Sequence, residues 1–465
     1  MEVRIRGSMI VVCLLAAGAA FAQTPTPKEE PDWRQVLQRL DRLEAQNKAL
    51  VEEIRALREE LAGKSVVASA PAPTPAPTEG MPTTAPLEER VGVLEQRTAE
   101  HEQSKIGTEH RMPVELTGML LFNSFIDGRN ASGTQAPLIA GVNPDASPLI
   151  GGTFRQSIFG LKFQGPKIFA NGEVTGSVSV DLFGGTGVPL NQAVRLRVAT
   201  LDLNWTNTTL SVAHDTPIIA PREPTSMAQV GVSPLTAAGN LWYWQPQIRL
   251  EQRFALGSSV GLKAQLGVIQ TNEGAATTPS EYSSTLVATR PGFEGRFELW
   301  KRWSDNARIE IAEGFHASET HVGGEIVPSR IYSIDWLIRP FSKIDLTGTW
   351  FYNQNSTVLG GLRPGLLFAA DGSIRPVTGT AEWAQLAFHA TSRMTFNLYG
   401  GQASNHQTDI MAGSILNNRT IAANVIYKLS TNVLASFEMY QARTRYLGLG
   451  KFLVPHYDLA LAYLF

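Results

Sequence analysis

Charged side chains at two-residue spacing are the part of this sequence that could attract or repel a solute. Arg195 and Arg197 form one such pair, and Arg249, Glu251 and Arg253 form a second series. Residues two apart on a β-strand lie on the same face, so each set would present its charges to one side of a strand. Arginines beside carboxylates set up an electric field across a narrow passage and favour anions. The same charges can instead neutralise one another across neighbouring strands, and both interpretations stay open at this point.

Groups that could perform catalysis or bind a metal are sparse. His214 precedes Asp215, and His316 and His321 form an isolated pair without a third ligand at a useful spacing. The only cysteine, Cys13, lies in a segment that we expect to be removed, so thiolate nucleophiles, thiolate zinc sites and disulfides are excluded from the mature chain. We therefore predict that the protein is not an enzyme, and that it has no catalytic residue, no metal and no cofactor.

The N-terminal residues predict export from the cytoplasm. Arg4 and Arg6 precede an apolar run at residues 9–19 that is short for a membrane span, and residues 20–22 form an A-x-A cleavage site. We interpret residues 1–22 as a signal peptide. No later segment is a long uncharged apolar run, so the exported chain is either soluble or a membrane β-barrel, whose alternating strands escape hydropathy scans. The formal net charge of −2 argues against a nucleic-acid partner.

A heptad pattern follows a proline-rich linker at residues 23–32. Apolar residues recur at the a and d positions over about four heptads within residues 33–62, and mostly charged residues and glutamine lie between them. We predict a coiled coil, whose narrow seam needs partner helices, although a single amphipathic surface helix is the alternative. The predicted oligomerisation seam consists of Leu40, Leu43, Asn47, Leu50, Ile54, Leu57 and Leu61.

The chain after the heptads has the composition of a linker, broken by one short helical pattern. Residues 63–86 are rich in proline, alanine and threonine, which predicts an extended spacer. Residues 87–104 predict a helix too short to be stable alone, and residues 105–112 form another linker. From residue 113 to residue 465 polar and apolar residues alternate with the period of a β-strand.

This alternating segment predicts about sixteen antiparallel strands. The candidate strands are 114–126, 153–163, 170–183, 194–204, 208–215, 245–255, 259–270, 290–302, 306–317, 329–339, 343–354, 380–389, 393–402, 417–429, 432–442 and 455–465. We expect short turns to alternate along the whole chain with long connections, which are 127–152, 216–244, 271–289, 355–379 and 403–416. An even strand count places both ends of the barrel on the periplasmic side, together with the short turns.

The alternation fits a soluble sandwich or a transmembrane barrel, and three features favour the barrel. The strands are about ten residues long, which suits a tilted crossing of a bilayer. The last strand ends at Phe465, which resembles the C-terminal signal that the assembly machinery of outer-membrane barrels reads. Aromatic residues lie near predicted strand ends, as at membrane interfaces; they are Trp205, Trp303, Trp336, Phe341, Tyr427 and Tyr463. The predicted fold is therefore an all-β transmembrane barrel preceded by an α-helical coiled coil.

In such a barrel the polar strand faces line water and the apolar faces meet lipid. The connection 216–244 lies between the strands that bear the arginine series, and its prolines stiffen it. If it folds inward, it narrows the pore near these arginines. The residues that we predict to line the pore and set its selectivity are Arg195, Arg197, Arg249, Glu251, Arg253, Arg222, Glu223 and Arg296.

Four stretches of the first half of the barrel, together with the heptads, resemble the DcaP-like trimeric porins. The stretches are RQSIFGLK at 155–162, VDLFG at 180–184, RLR at 195–197 and QPQIR at 245–249. The later strands match only as a generic porin. The resemblance implies a homotrimer with a periplasmic coiled coil and a sixteen-stranded barrel, which takes up small, often anionic molecules such as dicarboxylates. It also implies that Arg195, Arg197 and Arg249 face the lumen.

The sequence thus predicts a porin in the outer membrane of a Gram-negative-type bacterium. Small hydrophilic solutes would diffuse through it passively, with a weak preference for anions such as dicarboxylates. The expected partners are outer-membrane lipid, two further copies of the chain, the permeating solutes and the barrel assembly machinery. A structural tether is the alternative, in which the coiled coil contacts peptidoglycan or a periplasmic partner and the barrel serves as an anchor.

Overall fold

The computed structural model describes residues 114–131, 135–143, 145, 147–185, 192–273, 279–282 and 290–465. The predicted signal peptide, coiled coil, linkers and short helix all lie outside the described residues. Within the described part of the chain, no helix is long and apolar enough to cross a membrane.

Sixteen antiparallel strands form the described structure. They are β1 (Val114–Asp127), β2 (in two segments, Leu149–Thr153 and Ile158–Ile168), β3 (Gly172–Gly184), β4 (Ala193–Asn204), β5 (Thr208–Asp215), β6 (Gln245–Ala255), β7 (Val260–Gln270), β8 (Pro291–Ser304), β9 (Ala307–Val322), β10 (Glu325–Phe341), β11 (Ile344–Gln354), β12 (Thr378–His389), β13 (Met394–Asn405), β14 (Ile415–Lys428), β15 (Val433–Tyr446) and β16 (Gly450–Leu464). A small hairpin, Leu366–Phe368 with Ile374–Pro376, lies in the connection after β11. Short 3-10 turns are Arg129–Ala131, Phe169–Asn171, Ser280–Tyr282, Ser356–Leu359 and Gln407–Asp409.

The strands close into a barrel because the last strand pairs with the first. Each strand is hydrogen-bonded to its neighbours in the chain, and β16 pairs antiparallel with β1 from Met119 opposite Leu464 to Asp127 opposite His456. Phe465 completes the closure, since its amide donates to the Gly118 carbonyl (3.2 Å) and its carbonyl accepts from the Gly118 amide (2.8 Å). Closure leaves no unpaired strand edge. The prediction of a sixteen-stranded antiparallel barrel is confirmed.

The two faces of each strand divide polar from apolar side chains as the alternation predicts. On β16 the side chains of Leu459, Leu461 and Tyr463 are exposed on the outside, while His456 and Asp458 are buried inside. On β6 the side chains of Gln245, Gln247, Arg249 and Arg253 share the inward face, and the exposed apolar side chains point out. The outer surface is therefore an apolar belt, as lipid contact requires.

The two ends of the barrel differ in how they connect the strands. One end, the short-turn end, carries both strand termini of the barrel and only brief turns between strands. Five of the six aromatic residues singled out in the sequence lie there, in a turn or near a strand end: Trp205, Trp303, Phe341, Tyr427 and Tyr463. Trp336 lies further along β10, within the belt.

The opposite end, the long-loop end, departs from the expected alternation at two places. The prediction of a long connection at every second position is wrong for β9–β10 and for β15–β16, which continue past residues 317 and 442 into tight turns. Glycine permits these turns, because Gly323, Gly324 and Gly448 adopt φ angles of +59°, +83° and +81°. The barrel wall is therefore taller at these two hairpins than the alternation predicts.

Candidate functional site

The connection between β5 and β6, residues 216–244, folds into the barrel, and we call it the inward loop. Its side chains Ile218, Ile219, Met227, Leu235 and Leu241 are each at most 5 % exposed. Ile219, Met227, Leu235 and Leu241 pack against apolar side chains on the inner faces of the strands. A buried loop is stable only when its backbone polar groups find partners, and the barrel wall supplies them on three sides.

The first wall that holds the inward loop is formed by β8, β9 and β10. Arg222 Nε donates to Asp335 Oδ1 (2.9 Å), and its Nη2 lies 2.7 Å from Glu310 Oε2 and 3.4 Å from Glu298 Oε2. The backbone amide of Ile218 donates to a carboxylate oxygen of the same wall, on β8, at 2.6 Å. One loop arginine is thus bound by three carboxylates, which fixes the first half of the loop.

The second wall lies across the lumen on β12–β15. Ser226 Oγ donates to Glu438 Oε2 at 2.7 Å, and the Thr225 amide donates to Gln385 Oε1 at 2.6 Å. Asn424 Nδ2 donates to the Thr225 carbonyl at 2.8 Å. The Glu438 side chain is fully buried and also accepts hydrogen bonds from Tyr399 and Asn424, so it is the centre of this attachment.

The third wall is formed by β2, β3 and β4. Gln156, in the interruption of β2, accepts hydrogen bonds from the amides of Val230 (2.6 Å) and Gly231 (2.8 Å). Arg197 Nη1 donates to the Val230 carbonyl at 2.6 Å, and Arg195 donates to the Gly231 carbonyl. The loop therefore spans the lumen and is tied to strands on opposite sides of the barrel, which is what narrows a pore.

Arg195 and Arg197 share one carboxylate. Arg195 Nη2 lies 2.6 Å and Arg197 Nη1 3.0 Å from Asp181 Oδ2, and the Asp181 side chain is fully buried. The strand register shifts beside Arg197, a β-bulge that re-aims its side chain. Both guanidinium groups lie over the Trp244 ring, at 5.0 Å and 4.4 Å from its centroid, a cation–π arrangement. This pair leaves a net positive charge at the third wall.

The other predicted site residues occupy the lumen side of β6 and the inward loop. Arg249 Nη1 lies 3.6 Å from Asp215 Oδ2, and Arg253 Nη2 lies 2.6 Å from Glu251 Oε1. Neither arginine forms an ion pair with the loop. Glu223, on the loop itself, accepts a hydrogen bond of 2.6 Å from a serine hydroxyl of the same loop. Arg195 and Arg197 thus contact the inward loop and Glu223 belongs to it, whereas the carboxylates paired with Arg249 and Arg253 lie on the strands.

Arg296 requires a correction. Its side chain is only 1 % exposed, and its guanidinium binds Asp335 Oδ2 at 2.7 Å and Glu298 Oε2 at 2.6 Å. It lies on the inner side of β8, but almost no surface is left with which it could contact a solute. The expectation that Arg296 lines the pore is therefore wrong for its side chain, because neighbouring strands and the inward loop cover it.

Several residues that hold the loop are not among the site residues predicted from the sequence. Gln156 lies within a stretch that carries the family resemblance, but its role depends on the interruption of β2, which has no clear sequence signal. Glu438 lies between Phe437 and Met439, so the alternation of β15 does indicate a lumen carboxylate there. Its partner Ser226 is 212 residues away in the chain, so no local pattern joins the two.

Within the described residues, no group of three histidine, cysteine, aspartate or glutamate side chains is arranged to hold a metal ion. The charged groups instead meet as arginine–carboxylate pairs along a narrowed passage. Such an arrangement can discriminate solutes by size and by charge.

No protein-family model and no curated protein sequence matches this chain. Among solved structures, the chain is similar to the outer membrane channel DcaP of Acinetobacter baumannii, with 15 % identity and a TM-score of 0.59, covering 76 % of this chain and 97 % of that one. It is also similar to an anion-selective porin from Comamonas acidovorans, with 12 % identity and a TM-score of 0.51, covering 76 % and 100 %. At these identities the likeness shows the fold, which is that of outer-membrane porins.

Proposed function

We propose that this protein is an outer-membrane porin through which small hydrophilic solutes diffuse passively. The observation that carries the proposal is the inward loop, which is bound to three walls of a closed barrel and leaves charged side chains partly exposed beside it. An apolar exterior and a polar interior are what a water-filled channel in a bilayer requires. Solutes wider than the gap beside the loop would be excluded by size.

The distribution of charge at the constriction supports a weak preference for anions. Arg195 and Arg197 have one carboxylate between them, and the Arg195 side chain is 27 % exposed. Two adjacent guanidinium groups can bind a carboxylate through paired hydrogen bonds, so a dicarboxylate is a suitable permeant. The Glu223 carboxylate on the inward loop interacts electrostatically with Arg197, which sets a field across the gap.

A trimeric assembly is part of the same proposal. The seam of residues 40–61, which includes Asn47, needs partner helices, and the resemblance to DcaP-like porins implies three copies. In this arrangement the coiled coil lies in the periplasm. The final strand and Phe465, whose backbone closes the barrel on Gly118, would be the segment that the barrel assembly machinery reads.

Conductance of the purified full-length protein in a planar bilayer tests the proposal. We expect ohmic channels that close in three equal steps, and under a gradient of potassium chloride a reversal potential of the sign of anion preference. Clear cation selectivity would overturn the anion preference, and a protein that folds but does not conduct would overturn the porin assignment. Deleting residues 33–104 should leave conduction intact; a tether would instead lose its cell-envelope phenotype.

A further inference from the structure

Four cations lie on the outer surface of the last three strands, near the long-loop end. They are Arg419 on β14, Arg443 and Arg445 on β15, and Lys451 on β16. All four side chains are exposed, on the same outward face as Ile421, Phe437, Met439 and Leu453. We call this set the rim cluster.

The strand register brings like charges directly opposite one another in the rim cluster. Arg419 pairs with Arg443 across β14 and β15, and Arg445 pairs with Lys451 across β15 and β16. Directly opposed side chains of antiparallel strands have their Cβ atoms about 5 Å apart, and like charges at that distance are destabilising. The arrangement is favourable only where an anion lies between the cations.

No acidic side chain of the described residues supplies that anion. None of the ion pairs among the described residues includes a member of the rim cluster. The four rim side chains also donate no hydrogen bond to the described part of the protein. Glu382 shares the outer face, but it lies two strands from Arg419 and accepts a 2.9 Å hydrogen bond from Gln402, which stands between them. The arginines of the constriction, in contrast, are paired with carboxylates.

The height of the rim cluster matches the outer edge of the membrane. Ten residues separate Val433, at the short-turn end of β15, from Arg443. At a rise of 3.4 Å per residue and a strand tilt of 40°, this is about 26 Å along the barrel axis, against an apolar band of about 25 Å in outer-membrane barrels. The cluster therefore lies where lipid headgroups of the outer leaflet carry their charges.

A shallow groove in the apolar belt leads to the rim cluster. It extends over the outer face between β10 and β14, has a volume of about 470 Å³, and has Glu382, Gln402 and Arg419 among its lining residues. Ala384 and Gly400 leave it without bulky side chains, while Trp336 and Ile421 flank it. The apolar part of the groove suits a hydrocarbon chain, and Arg419, Gln402 and Glu382 form its polar part, in which Gln402 donates a hydrogen bond to Glu382.

We propose that the rim cluster binds the phosphate groups of a phosphorylated glycolipid in the outer leaflet, with one acyl chain in the groove beside Arg419. Phosphate oxygens accept several hydrogen bonds from arginine at once and relieve the repulsion between the opposed cations. Lipid bound at this place would hold the long-loop end of β14–β16 at a fixed depth. The site is independent of the lumen, so it does not require the protein to conduct.

Binding of lipid A to the full-length protein in non-ionic detergent, followed by native mass spectrometry, tests this site. The variant R443Q/R445Q removes two rim cations, and K301Q/R330Q removes two exposed cations from the outer faces of β8 and β10 as a matched control. Each basic residue near an anionic lipid surface contributes about fivefold to binding. We therefore expect about 25-fold weaker binding in R443Q/R445Q and less than about twofold weakening in the control.

The same assay distinguishes the phosphate groups of a lipid from free inorganic phosphate as the ligand. Dephosphorylated lipid A should bind the unaltered protein as weakly as lipid A binds R443Q/R445Q, and inorganic phosphate at equal concentration should not compete. The proposal is overturned if lipid A binds R443Q/R445Q and the control variant with equal affinity. It is also overturned if dephosphorylated lipid A binds the unaltered protein as tightly as lipid A does. Competition by inorganic phosphate overturns the assignment to lipid, and a changed oligomeric mass in R443Q/R445Q assigns the cluster to a contact between copies instead. An unchanged β-sheet circular dichroism spectrum shows that each variant is folded.

Discussion

The two walls on either side of the constriction hold arginines in opposite ways. On β3 and β4, Arg195 and Arg197 share the single carboxylate of Asp181. On the other side, Arg222 of the inward loop and Arg296 of β8 lie among the carboxylates of Glu298, Glu310 and Asp335. The wall of β3 and β4 has two guanidinium groups for one carboxylate, whereas each carboxylate of the other wall contacts at least two cations, since Lys263 also pairs with Glu298 and Arg308 with Glu310. We call the wall of β3 and β4 the cationic wall and the other, after its three carboxylates, the acidic wall.

Arginine side chains on the two walls differ in solvent exposure, and we infer that they therefore differ in role. The Arg296 side chain is 1 % exposed, whereas that of Arg195 is 27 % exposed. A buried guanidinium among buried carboxylates compensates their charge, and without Arg296 only Arg222 remains beside Asp335, and only Arg222 and Lys263 beside Glu298. A partly exposed guanidinium that shares its carboxylate keeps hydrogen-bond donors for a solute. We therefore predict that the arginines of the acidic wall stabilise the fold, and that those of the cationic wall determine the preference for anions.

Replacing Arg296 with methionine gives the largest expected effect. Glu298 and Asp335 would lose their closest partner in a buried site, so the free energy of unfolding should fall by about 3 kcal/mol. Urea titration of the barrel in lipid vesicles, followed by tryptophan fluorescence, measures the change.

Arg253→Met is the matched control for this first prediction. Arg253 is also paired with a carboxylate, Glu251, but its side chain is 62 % exposed. Exposed ion pairs contribute about 0–1 kcal/mol, so the control should lose no more than that. Equal losses in the two variants would show that burial does not distinguish these arginines, and the structural role of the acidic wall would have to be abandoned.

The sequence predicts the barrel more completely than it predicts this difference between walls. Arg253 and Arg296 both occupy the polar face of an alternating strand, so the same local pattern places both in the lumen. Their exposure differs because of contacts made far along the chain. Arg222 meets Asp335 across a separation of 113 residues, and no spacing in the sequence encodes which wall a loop arginine will reach.

Double replacement R195Q/R197Q gives the second largest effect, under the proposed porin function. It removes both cations of the cationic wall and leaves Asp181 charged. A unit charge at about 4 Å contributes roughly 1 kcal/mol even in water, so the ratio of anion to cation permeability should fall about tenfold at low salt. The shift should shrink in 1 M salt, where the screening length is about 3 Å. Reversal potentials at two salt concentrations measure both expectations.

R249Q/R253Q removes the same net charge and serves as the control for that selectivity change. Its two arginines lie on β6 and form no ion pair with the inward loop. Because charges set selectivity mainly where a pore is narrow, its permeability ratio should change by less than about threefold. A shift as large as that of R195Q/R197Q would mean that the constriction is not the selective region.

Asp181→Asn has the smallest expected effect and the opposite sign. Removal of this one buried charge leaves Arg195 and Arg197 without their ion-pair partner, while the asparagine oxygen can still accept one of their hydrogen bonds. The anion preference should therefore rise, by no more than about threefold, because only one charge changes and solute anions or water can approach the two guanidinium groups. A preference that moves toward cations instead would show that Asp181 holds the arginines in place for anions, so that their position matters more than the net charge of the wall.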